Sequence, residues 1–162
     1  MSRLTSFAAA AAVACLAAVP AFAQQAIPPY GTPINLEQAT KMIAAAEAEA
    51  KKNNWPVAIS IVDTGGHLVA MHRLDNTQIG SIKIAEGKAR TAVELRRPTK
   101  ALEDAIAGGG SGARVLAIPG VMPLEGGIPI MVDGKIIGAI GVSGVLSGQD
   151  AQVARAGLDA MK

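Results

Sequence analysis

Apolar positions along this chain follow two periods. From Asn35 to about Lys52, Leu36, Ala39, Met42, Ile43, Ala46 and Ala50 fall on one stripe of a helix, opened by Asn35 as N-cap with Gln38 at the capping-box position and ended by Asn53-Asn54. The β-branched run Val57–Val62, the turn Asp63-Thr64-Gly65-Gly66 and the run His67–Leu74 predict a hairpin. Helical spacing then returns from about Gln78 to Leu95 through Ile79, Ile82, Ala85, Ala89, Ala92 and Val93, with Asp75-Asn76-Thr77 as a capping segment and Pro98 as a stop. Thr99 caps a short helix to Ala107, Gly108–Gly112 is a loop, and Val115–Ile118 is a short strand.

The strongest local signal comes later. Ile128–Val132 and Ile136–Val142 are joined by Asp133-Gly134, and a two-residue Asp-Gly link between β-branched runs predicts a type I′ hairpin, which needs positive φ twice. Gly138, Gly141 and Gly144 punctuate the second run, so that strand is either closely overlaid or lines a site. Both of its faces are apolar, as in a sheet covered on both sides. A closing helix runs from Ser147 to Met161, with Asp150 in its first turn. Five strands and three or four helices predict an α+β domain built as a three-layer α/β/α sandwich.

The N-terminus reads differently. Arg3, the apolar run Phe7–Val19 and the small-residue site Ala21-Phe22-Ala23 have the layout of a secretory signal peptide, cleaved after residue 23. A membrane anchor is disfavoured because the run is short and ends in Pro20. Cys15 lacks the leucine expected before a lipidated cysteine. Residues 24–34, with Pro28, Pro29 and Pro33, form an extended lead-in, and residues 35–162 form one domain.

Removing the leader takes away the one cysteine, and with it disulfides and thiolate ligands. It also takes Arg3 from the 15 basic residues, leaving 14 against 13 acidic. That balance gives no footprint for nucleic acid or an anionic membrane, and no membrane insertion of the mature chain is expected. Half of the residues are hydrophobic but only 2% aromatic, so the core is aliphatic.

Three ordered motifs then carry a resemblance. Val62–Asp75 (VDTGGHLVAMHRLD), Lys88–Val93 (KARTAV) and Gly126–Gly144 (GGIPIMVDGKIIGAIGVSG), followed by Asp150, resemble the GlcG/HbpS-like family of haem-binding domains, which includes the C-terminal domain of PduO-type corrinoid adenosyltransferases. The resemblance spans about Asn35 to Met161. It implies a profilin-like fold with a five-stranded antiparallel sheet, homo-oligomers that can reach octamers, and haem or another tetrapyrrole as ligand. Haem degradation has been proposed for some members, and others are secreted haem sensors. The family is better known as a fold than as a function.

On that footing His67, following the Gly65-Gly66 turn, is the candidate axial ligand to haem iron. The alternative is a polar residue finishing a turn. His72 lies five residues on, an odd offset that strand alternation places on the opposite face, and Met71 is too far along to share the iron. Arg73, Lys88 and Arg90 are candidates for haem propionates or a substrate carboxylate, or else form ordinary ion pairs. Thr91 of the second motif and Gly126 and Gly127 at the head of the third complete the candidate binding set.

Other chemistries read poorly. Gly108–Gly112 lacks the Lys-Ser/Thr of a phosphate-binding loop, and Ser143 does not sit in a G-x-S-x-G elbow. The favoured expectation is an exported, periplasmic or secreted, haem-binding protein serving capture, storage or sensing. An enzyme using His67 as acid/base on a small carboxylated molecule and an oligomeric scaffold are the competing readings.

Overall fold

The computed structural model describes residues 27–162. The expected leader therefore lies outside the described residues. Elements follow in the order α1 (Leu36–Lys52), β1 (Ala58–Asp63), β2 (Leu68–Arg73), α2 (Gly80–Glu94), α3 (Lys100–Ala107), a 3-10 helix (Gly110–Ala117), β3 (Gly127–Val132), β4 (Lys135–Ser143) and α4 (Ser147–Asp159). The strands form one antiparallel sheet in the order β2-β1-β4-β3.

Helix α1 begins as its capping box predicts. Gln38 N donates to Asn35 Oδ1 at 2.9 Å, and Asn35 N donates back to Gln38 Oε1 at 3.1 Å. Helix α4 begins otherwise: Leu146 precedes it, the Leu146 N–H donates to Gln149 Oε1, and Ser147 makes no capping bond. Helix α2 ends at Glu94, before Pro98, with Arg96 in the left-handed region at φ 52°.

The sheet has four strands among the described residues, not five. Val115–Ile118, expected as a strand, lies in and just beyond the 3-10 helix. An apolar run of four carries no period, and here Gly109 and Gly110 turn with positive φ into the helix, leaving Leu116 and Ile118 exposed. The lead-in supplies an edge contact instead: Gly31 N donates to Ile136 O and Ile136 N to Pro29 O. Tyr30 thereby bridges Ile136 in parallel, beyond the point where β1 stops pairing with β4.

Each face of the sheet has its own core. On one, Ile59, Ile61, Ile140 and Val142 pack with Met42, Ile43 and Ala46 of α1 and Val153 and Ala154 of α4. On the other, Val62, Ile136 and Ala139 pack with Ala89, Ala92 and Val93 of α2. The apolar runs of the inner strands, interrupted in β1 by the buried Ser60, are the consequence of this double burial.

The β3–β4 turn has the predicted geometry, with Asp133 at φ 48° and Gly134 at φ 72°. Gly134→Ala is expected to cost about 1 kcal/mol in urea denaturation, the usual penalty for a Cβ in the left-handed region. No loss would mean that the turn can relax to another type.

Candidate functional site

The sequence-predicted residues do not form one site. They divide among the interior and the two ends of β2.

Lys88 is the largest fully buried side chain among the described residues. It rises from the apolar stripe of α2, and its Nζ donates to Val142 O at 2.9 Å and to Asp150 Oδ2 at 2.8 Å. Asp150 is buried too, and its second oxygen accepts from Val145 N at 3.1 Å. Burial pushes the Asp150 carboxyl above its ordinary range, while Lys88 and the nearby backbone N–H groups pull it back in part.

Gly126 and Gly127 close over this pair. A Cβ on Gly126 would stand 2.8 Å from Val142 O and 3.0 Å from Lys88 Nζ, and one on Gly127 would meet the Lys88 backbone and the Thr99 methyl. Thr99 grips Gly127 from both sides: Gly127 N donates to its Oγ1, and Thr99 N donates to Gly127 O, each at 2.9 Å. Thr91 Oγ1 accepts from Met122 N at 2.8 Å, anchoring the segment before β3. Lys88, Gly126 and Gly127 thus come together, with Thr91 on the same helix, as the joint between α2, β4 and α4. Asp150, read from sequence as a helix-dipole partner, is the missed member of that joint.

His67 sits at the β1–β2 turn. Asp63 Oδ1 accepts from Gly65 N at 2.8 Å and His67 N at 3.0 Å, which shapes the turn, and the His67 ring lies 3.4 Å from the same oxygen with 83% of its side chain exposed. Burial pushes the Asp63 carboxyl up, but those backbone donors and the ring outweigh it and hold it below the usual range. Gly66, at φ 79°, rests on Arg90 and Glu94 of α2. Arg90 is paired with Glu86 at 2.8 Å.

The far end of β2 is built differently. A bulge shifts its register, Val62 facing Leu68 while Ile61 faces Ala70, so simple alternation does not carry from His67 to His72. His72 faces α1, its Nδ1 2.7 Å from Glu47 Oε2 and half of its side chain exposed. Lys51 holds the other Glu47 oxygen at 2.5 Å. Lys51 and His72 together keep the Glu47 carboxyl below its ordinary value, against the opposing effect of burial. A groove of about 730 Å³ opens here along edge strand β2, lined by Glu47, Lys51, Trp55, Met71, His72 and Arg73 among others.

A second groove, about 590 Å³, flanks edge strand β3 with Ile27, Arg96, Arg97, Ile128 and Met131. His67 lines neither groove. Among the described residues no group of three or more His, Cys, Asp or Glu side chains forms a metal site, and no helix is long and apolar enough to cross a membrane. Ser143 is buried, its hydroxyl 3.3 Å from that of Ser81, with both histidines engaged elsewhere.

A small antiparallel sheet sheathed by helices on both faces, pinned by an internal ion pair and presenting grooves along its two edge strands, defines a mixed α/β class of domain. The chain belongs to the HbpS-like family: the family described as "Haem degrading protein HbpS-like" matches residues 34–159. It is 46% identical to Protein GlcG of Escherichia coli (strain K12) over 110 residues, covering 68% of this chain and 81% of that protein. The crystal structure of HbpS superposes with a TM-score of 0.75 at 34% identity, covering 82% of this chain and 92% of the other. The PduOC:heme complex superposes with a TM-score of 0.73 at 28% identity, covering 80% and 95%.

Proposed function

We propose that this protein is an exported haem-binding protein, acting by capture, storage or sensing. The observation that carries the reading is the match, in sequence and in fold, to a domain solved with haem. The side chains present fit such a ligand. Both imidazoles reach solvent, and imidazole is a common axial ligand to haem iron. Arg73 has no carboxylate within 4.0 Å among the described residues and is available to a propionate, whereas Arg96 lies over the Tyr30 ring, 4.2 Å from its centroid. Haem, when bound, would supply iron-centred redox and ligand chemistry; the chain supplies a nitrogen donor, cations and apolar walls.

Of the residues read from sequence, Arg73 lines the groove along β2 and is placed to meet a ligand directly, whereas His67 and Arg90 are exposed but line neither groove. Lys88, Thr91, Gly126 and Gly127 would act by holding the domain in shape. The mature protein, Gln24–Lys162, is expected to take up haemin saturably with a shifted Soret band. Absence of a saturable band would overturn the reading and favour a small carboxylated metabolite as ligand.

Export belongs to the same proposal and is supported by the leader-like residues 1–23. Mass spectrometry of the chain recovered from the periplasm or medium is expected to show Gln24 as its first residue; retention of residues 1–23 in a cytoplasmic product would refute it. Two open edge strands, β2 and β3, support assembly into homo-oligomers.

A further inference from the structure

The two histidines differ in how they are held, and the difference selects between them as iron ligands. The His67 ring stands on a turn, with 83% of its side chain exposed and an Asp63 oxygen at 3.4 Å, beyond a good hydrogen bond. The ring folds over Gly65, where an added Cβ would lie 2.7 Å from its Nδ1. His72 is held at 2.7 Å by Glu47, which is itself fixed on α1 by Lys51.

In a neutral imidazole, a carboxylate beside Nδ1 favours the tautomer with the proton on that nitrogen, which leaves Nε2 as the lone-pair donor and strengthens it. This is the usual support of a metal-bound histidine. The groove into which His72 opens has a volume in the range of ligand sites, with Trp55, Met71 and Leu74 as apolar lining and Arg73 at hand. Trp55 is the single tryptophan of a chain otherwise poor in aromatic rings.

Resting on the haem-binding reading, we infer that His72 is the iron ligand of this protein, with Glu47 as its positioning residue and Arg73 as a cation for a propionate. Haem then lies along edge strand β2, beside the C-terminal half of α1. The turn that carries His67 is outside the site.

The test is a haemin titration of Gln24–Lys162 and of its His72→Ala, His67→Ala and Glu47→Gln variants, read by Soret absorbance, electron paramagnetic resonance and reduction potential. His72→Ala is expected to weaken haemin binding about 10-fold or more and to change the ligand-field spectrum, with added imidazole restoring it. Glu47→Gln is expected to keep haem bound but to raise its reduction potential, because the ring loses donor strength; a merely structural role would leave the potential unchanged. His67→Ala is expected to behave as the wild type. A spectrum lost in His67→Ala and kept in His72→Ala, or kept in both, overturns this assignment while haem binding stands. No saturable binding by the wild type overturns both.

Discussion

Lys88→Met is expected to lower the unfolding free energy by about 3–5 kcal/mol, because it leaves Asp150 charged, buried and short of its main partner. That is a large share of the roughly 5–15 kcal/mol that holds a domain of this size together. Removing both charges is a different matter. The desolvation of two buried ions offsets much of their attraction, so Lys88→Met/Asp150→Leu is expected to recover most of the loss. Urea denaturation of the two variants measures the difference, and a single variant within about 1 kcal/mol of wild type would show that the pair does not pin the domain.

The same variant has a pH dependence whose sign follows from the burial of Asp150. Its folded carboxyl titrates above its unfolded value, and without Lys88 nothing of comparable strength pulls it back. The folded state therefore holds the proton longer, and the relative stability of Lys88→Met is greatest below the unfolded pKa and falls as pH rises through the folded one. The deficit against wild type is expected to be smaller at acid pH than at neutral pH.

Gly141→Ala is expected to cost about 3 kcal/mol, at the upper end of what overpacking does, since the new Cβ would collide with the Ala85 carbonyl and the Ala89 amide nitrogen of α2. A side chain could rotate away, but a helix backbone must move as a body, and α2 is tied down by Lys88 three residues from Ala85. The loss is expected in both thermal and urea unfolding, with far-UV circular dichroism of the folded state unchanged. Stability equal to wild type would mean that α2 can lift from the sheet without strain.

Much of the architecture was legible because local chemistry and tertiary burial agree. Asn35 and Gln38 announce α1, and Asp133-Gly134 announces the last hairpin. The apolar runs on both faces of β4 announce a sheet with two covers, and Gly141 and Gly138 proved to be places of close approach. Val115–Ile118 misled because four apolar residues look alike in a strand and in a single turn of helix.

The joint at Lys88 was half legible. Its motif stood out, but the partner lies 62 residues away, and nothing in one sequence marks a lysine in an apolar stripe as buried rather than solvated. The His72–Glu47 contact was hidden twice over. The partner belongs to another element, and the bulge at Val69 carries no glycine or proline that would have warned that strand alternation breaks there.

The strand order has a consequence for how the chain acquires its shape during synthesis. The inner neighbour of β1 is β4, and Lys88 waits for Asp150, so a nascent chain that stops before β4 begins at Lys135 has one hairpin and some helix but no closed sheet. Contacts of such long sequence separation form late and slowly. Closure of the sheet therefore waits until nearly all of the polypeptide has been made.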